Sequence, residues 1–188
     1  MKDLHDRGRE LYFIALIPHT GLREEIREIK ERMRDEYGAG HALRSPAHIT
    51  LQMPFKRSFA DEAGISDALE RFALQEQPFT IDLDGYGSFP PRVIYIRVRD
   101  PEPVRSLHSR LKEMLIEILA FEQHEVMGEL QPHITVATRD LTKTAFSEAW
   151  PVLREEAFAG GFRVESIFLL KHNGRSWDIL REFTFGRR

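Results

Sequence analysis

Read for its alternation of apolar and polar positions, the chain resolves into short segments of two periods. Residues 11–18 (LYFIALIP) form an unbroken apolar run closed by proline, too short for a helix, and predict a buried strand. Thr20 is the expected N-cap of an amphipathic helix, with Leu22, Ile26, Ile29 and Met33 at helical spacing and Gly38 and Gly40 as its stop. Residues 48–53 (HITLQM) alternate as a strand with one buried face, which Pro54 is expected to end. A second helix is predicted over 61–75 and an alternating strand over 79–86, and the first half closes near Pro90-Pro91.

The same order then recurs. Residues 92–99 (RVIYIRVR) read as a strand, Asp100 and Pro101 as turn and cap, and Val104, Leu107, Leu111, Leu115 and Ile118 as a helical face. Residues 132–136 (PHITV) echo PAHITL some 85 residues earlier. A helix near 144–156 and two terminal strands, 162–171 and 176–185, complete the chain, the strands joined by a tight His172-Asn173-Gly174 turn. A strand-helix-strand unit occurs twice with no third copy, which predicts a duplication rather than a solenoid. The expectation is one α+β domain over 1–188, with lobes of approximately 1–90 and 91–188 and terminal strands free to cross between them.

Composition narrows the chemistry. With no cysteine among 188 residues, disulfides, thiolate nucleophiles and Cys-ligated metals are excluded. A net charge of −3 provides no global field for a nucleic-acid duplex, while 27 Lys and Arg leave room for a local basic cleft. A small anion or a nucleic-acid end suits it better than duplex DNA. No apolar run approaches the roughly 20 residues that span a bilayer, and the charged first ten residues do not read as a signal peptide. A cytoplasmic monomer without membrane contact is expected.

The candidate chemistry is a repeated His-x-Thr. On a strand, residues i and i+2 share a face, so His48 with Thr50, and His133 with Thr135, each present an imidazole beside a hydroxyl. Ile49, Leu51, Ile134 and Val136 then point to the core. Related by a pseudo-two-fold, the two pairs would face one cleft and surround a phosphate. Phosphodiester cleavage asks for that set: a neutral imidazole as base, a protonated one as acid, and donors for the non-bridging oxygens. Histidine fills both roles because its ordinary pKa of about 6.5 populates both charge states near neutrality. One His-x-Thr would carry no weight, and the bland reading of a lone strand histidine is structural. Two copies, each with Ile inside and Pro just ahead, favour function. A metal needs a third ligand, and neither histidine has one at ligand spacing, so no metal and no cofactor are expected.

The lesser candidates are substrate-binding. Arg139 shares strand parity with His133 and Thr135 and is a candidate for a second phosphate or a ribose; Arg44 precedes His48 by four residues and is a candidate at the cleft mouth. Tyr12, Phe13 and Phe55 are candidate stacking platforms for a base, with at most one of Tyr12 and Phe13 able to face the cleft. His5, His19, His41, His108 and His124 have no partner pattern, and His172 is expected to be structural.

LYFIALIP, SPAHITL, QPHITV and LLKHNGRSWDILREF together resemble the two-histidine (2H, HxTx) phosphoesterases, which include the bacterial 2'-5' RNA ligase-like proteins and the cyclic nucleotide phosphodiesterases. The resemblance covers most of the chain, although Met53-Pro54-Phe55 replaces the Phe-Leu-Gly that many members carry after the first motif. It implies two antiparallel-dominated sheets around a central cleft with helices outside. It also implies His48 and His133 as acid-base pair, with a lean to His133 as base, and Thr50 and Thr135 as phosphate ligands. The expected activity is metal-independent hydrolysis of a 2',3'-cyclic phosphate on a nucleotide or RNA 3' end, with 2'-5' ligation as its reverse and a role in RNA processing. The alternative is a nucleotide-sensing module that uses the same cleft without turnover.

Overall fold

In the computed structural model, which describes residues 8–186, eight strands form one antiparallel sheet: β1 (Arg9–Leu16), β2 (Ile49–Ser58), β3 (Phe79–Phe89), β4 (Val93–Val98), β5 (His133–Ala137), β6 (Ala159–Val164), β7 (Ser166–His172) and β8 (Trp177–Thr184). Their order is β6-β3-β4-β5-β2-β1-β7-β8. Two four-stranded halves thus meet between β5 and β2, where a single register pair, Ile49 with Ile134, joins them. The two expected sheets are these halves, fused along one seam. β3 lies in the half of β4 and β5, while β7 and β8 return to the half of β1 and β2.

Four helices accompany the sheet: α1 (Thr20–Tyr37), α2 (Glu62–Ala73), α3 (Glu102–Glu117) and α4 (Lys143–Leu153). α1 buries Leu22, Ile26, Lys30 and Met33 and packs on β5, from the other half, whereas α3 packs on β2. Each of these two helices therefore bridges the seam, and one contiguous core runs beneath both halves, with Ile49, Leu51, Ile134 and Val136 fully buried in it. A second, smaller apolar cluster of Phe13, Ala15, Ile17 and Leu170 sits apart from that core. β1 alternates between them, Tyr12, Ile14 and Leu16 joining the main core and Phe13, Ala15 and Ile17 the small cluster.

Several local expectations are corrected. His19, not Thr20, caps α1, its Nδ1 accepting from Leu22 N at 3.3 Å, while Thr20 Oγ1 accepts from the Arg23 side chain. The helix does end at Gly38, whose left-handed φ of 70° lets Gly38 and Ala39 N–H groups close on Arg34 and Met33 carbonyls. Pro54 does not stop β2. A bulge between the Tyr12–Phe55 and Ile14–Gln52 pairs accommodates it, and β5 covers only the start of β2, so no ladder partner waits for an N–H at residue 54. The strand expected over 162–171 is two, broken at Glu165: β6 pairs with β3 and β7 with β1, in opposite halves.

Candidate active site

The seam assembles the two His-x-Thr motifs. β2 and β5 run antiparallel through the Ile49–Ile134 pair, so in register Thr135 falls beside His48 and His133 beside Thr50. All four side chains share the face opposite Ile49 and Ile134, and all four are half-buried. The two histidines are diagonal neighbours, which in a regular antiparallel pair places them about 7–8 Å apart.

Each ring is held in the same way. His48 Nδ1 lies 2.8 Å from Pro46 O and His133 Nδ1 lies 2.7 Å from Gln131 O. A carbonyl only accepts, so both Nδ1 atoms carry hydrogen and both Nε2 atoms are left for chemistry. Aromatic rings fix the planes. Phe13 packs against His48 with centroids 4.9 Å apart, and Trp177 meets Phe13 edge-on at 4.6 Å. In the other half Tyr95 lies 4.8 Å and Phe89 5.2 Å from His133. Tyr95 Oη also accepts from Gln131 Nε2 at 3.2 Å, steadying the residue whose carbonyl orients His133. Gly87 makes room for that ring, since a Cβ there would come 2.5 Å from Tyr95 Cε2.

Burial pushes the His48 pKa down to about 4, with the Lys30 ammonium and His133 adding to the effect and the Pro46 carbonyl opposing it. Burial lowers His133 as well, against the Gln131 carbonyl. Without an anion, both imidazoles are neutral at pH 7.

The cleft that opens over His48, Thr50 and Thr135 has a volume of about 490 Å³, within the range that holds a nucleotide-sized ligand. Phe13, Arg44 and Arg139 line it, as their sequence positions suggest. Arg139 gets there by another route than strand parity: β5 ends at Ala137, and Arg139 occupies a left-handed turn with φ 55°. Tyr12 and Phe55 do not reach the cleft. Their rings pack on each other at 5.9 Å inside the main core, Phe55 meets Phe121, and Tyr12 Oη donates to Glu62. The strand period decides between Tyr12 and Phe13, and Phe55 keeps the core-facing parity of Ile49 and Leu51 because β2 runs on through Pro54 and its two register shifts cancel.

His41, His172 and Trp177 also line the cleft, beyond what the sequence suggests. His41 opens the short 3-10 turn His41–Arg44, and its only signal was proximity to Arg44. His172 and Trp177 pair across the β7–β8 hairpin, which topology alone brings beside β1. The other histidines lie elsewhere: His19 caps α1, His108 is buried on α3, His124 pairs with Glu122, and His5 is outside the described residues. Among the described residues no group of three or more His, Asp or Glu is placed to hold a metal ion.

Comparison with known proteins identifies the family and the fold. A family model described as the 2'-5' RNA ligase superfamily matches residues 18–176. Two bacterial relatives carry the name "Putative phosphoesterase". That of Geobacillus sp. (strain WCH70) is 30% identical, covering 93% of this chain and 96% of its own. That of Oceanobacillus iheyensis is 28% identical, covering 94% and 98%. Among solved structures, TT0787 of Thermus thermophilus superposes with a TM-score of 0.69 at 25% identity, covering 95% of this chain and 100% of its own. E. coli LigT complexed with 3'-AMP superposes with a TM-score of 0.69 at 20% identity, covering 95% and 99%, a likeness of fold.

Proposed function

The chain belongs to the 2'-5' RNA ligase superfamily of two-histidine phosphoesterases, and from that premise we propose that it hydrolyses a 2',3'-cyclic phosphate on a nucleotide or RNA end, without a metal. The observation that supports this reading is the antiparallel crossing of the two His-x-Thr motifs at the seam, with both Nε2 atoms left free by carbonyl-anchored Nδ1 groups.

In the proposed reaction the cyclic diester lies between the imidazoles, and Thr50 and Thr135 donate to its non-bridging oxygens. A neutral Nε2 takes a proton from water as the water oxygen bonds to phosphorus. The bond from phosphorus to one ribose oxygen breaks, and the opposite imidazolium protonates that oxygen. When a ribose 5'-hydroxyl takes the place of water in the same direction, its oxygen bonds to phosphorus as the bond to the 3' oxygen breaks, which gives a 2'-5' linkage; the reverse step cleaves that linkage. Since both rings are neutral in the empty cleft, the acid gains its proton with the anion, whose charge raises the pKa of the ring it touches. In this scheme His133 serves as base and His48 as acid, as the resemblance implies.

His48→Ala and His133→Ala should each lower kcat on a 2',3'-cyclic nucleotide by about 10² to 10⁴, and the double variant should be little worse, because the pair acts as a unit. Thr50→Ala and Thr135→Ala should cost less. Wild-type turnover in either single histidine variant would exclude the mechanism, and tight nucleotide binding with no turnover in the wild type would favour a sensing module.

A further inference from the structure

The mouth of the cleft holds more positive charge than one phosphate between two histidines uses. Arg44 and Arg139 both line it, both are exposed, and among the described residues neither makes a hydrogen bond or ion pair. Several arginines outside the cleft are ion-paired, Arg57 to Glu125, Arg110 to Glu76 and Arg181 to Glu70. His41 lies near enough to both free guanidiniums for each to lower its pKa, after burial, with Asp140 opposing. Among the described residues no Asp or Glu lines this cleft. Inside the cleft the two guanidiniums face no carboxylate, Asp140 lying behind His41, so an anion entering there meets positive charge that no acidic side chain of the cleft lining offsets.

The cluster is also built from both halves. The Asp140 carboxylate accepts from His41 N at 2.8 Å, tying the turn after β5 to the 3-10 turn. Lys30, almost fully buried on α1, holds that turn from below by donating to Ala42 O at 3.0 Å and Ser45 O at 3.1 Å. Arg139 sits at φ 55°, a left-handed conformation disfavoured for arginine, while Asp140 and Leu141 N–H groups close on Thr138 O. A strained residue that presents an unpaired cation to a cleft marks a position where function outweighs backbone preference.

We propose that Arg44, Arg139 and His41 form a second anion subsite, which takes a phosphate on the 5' side of the nucleoside whose cyclic phosphate lies between His48 and His133. The inference rests on the proposed function for the identity of the first phosphate. With the 2' and 3' oxygens engaged, the 5' oxygen is the remaining ribose position for a phosphate, and the half-buried Trp177 ring is left to meet the base. The subsite phosphate has two sources: the terminal monoester of a mononucleotide, or the internucleotide diester of an RNA end.

The test compares kcat/KM at fixed ionic strength on adenosine 2',3'-cyclic phosphate, its 5'-phosphorylated form, and an adenosine dinucleotide ending in a cyclic phosphate. The wild type should favour one or both phosphate-extended substrates by about tenfold or more, the scale of a charge-assisted hydrogen bond. In a chain carrying Arg44→Ala and Arg139→Gly, the ratio should collapse to within about twofold of one; glycine suits the left-handed turn, so the turn is kept. Preference for the monoester alone assigns a mononucleotide, and equal preference for the dinucleotide assigns an RNA end. A wild-type ratio near one, or a ratio the variants leave intact, overturns the subsite. If none of the three is turned over, the proposed reaction fails, and calorimetry with adenosine 3',5'-bisphosphate against adenosine 3'-phosphate still decides. Tighter binding of the bisphosphate, lost in the variant, upholds the subsite, and equal affinities overturn it.

Discussion

Acid should weaken this fold through His48 in particular. Its pKa is pushed from an ordinary value near 6.5 to about 4, first by burial at the base of the cleft and then by Lys30 and His133. In the unfolded chain the same ring binds a proton as soon as pH falls below about 6.5. Between these values the unfolded state holds more protons than the native state, so stability rises with pH across the window and is lost as pH falls through it. At about 1.36 kcal/mol per unit, the loss from this one ring is about 2.5 kcal/mol by pH 4.5 and about 3 kcal/mol at pH 4, and it levels off near 3.4 kcal/mol at lower pH. His48→Asn is the informative comparison, because asparagine does not titrate and its amide N–H can still donate toward Pro46 O. Urea denaturation at pH 7 and pH 4.5, in a phosphate-free buffer of constant ionic strength, should show the wild type losing about 2 to 3 kcal/mol more than the variant. His133 and the carboxylates contribute to both proteins and largely cancel. A difference under about 0.5 kcal/mol would refute the claim that the cleft keeps His48 neutral.

Two further outcomes follow from the same geometry. Activity on a cyclic nucleotide should be unchanged by EDTA, and loss on chelation with recovery on adding one divalent ion would move the assignment to metal-assisted chemistry. Lys30→Met strands the Ala42 and Ser45 carbonyls; it should destabilise the protein by about 2 to 4 kcal/mol and lower Tm by roughly 5 to 15 °C, which calorimetry will show and an unchanged Tm would contradict.

Where periodicity carried the information, the sequence was a sound guide. The alternation of His48, Thr50, His133 and Thr135 with buried Ile49, Leu51, Ile134 and Val136 is present as expected, because a strand's two-residue period leaves no other placement once the core face is apolar. Phe13 against Tyr12 is settled by the same parity. What local pattern does not encode is pairing. Nothing within residues 162–171 indicates that the chain changes halves at Glu165, since both pieces are apolar and each partner lies far away in sequence. Phe55 is misjudged because Pro54 reads as a strand end, whereas β2 runs on through it and leaves Phe55 on the face of Ile49 and Leu51. His41 and Trp177 carry no motif; they enter the cleft through the Asp140 tie and the return of the terminal hairpin.

The choice of backbone carbonyls to steer both imidazoles has a consequence for how ligands and protons travel together. A carboxylate in that position would stabilise the charged ring and place a fixed negative charge beside the entering phosphate. Pro46 O and Gln131 O steer without either effect, so both rings stay uncharged until an anion is present. Under the proposed function, anion capture and proton capture would become one thermodynamic event: a phosphate arriving at neutral pH would draw a proton from solvent into the cleft, and its departure would return that proton. In the proposed reaction the cleft would act as a proton-coupled anion trap, its acid recharged by each substrate rather than by a permanently charged residue.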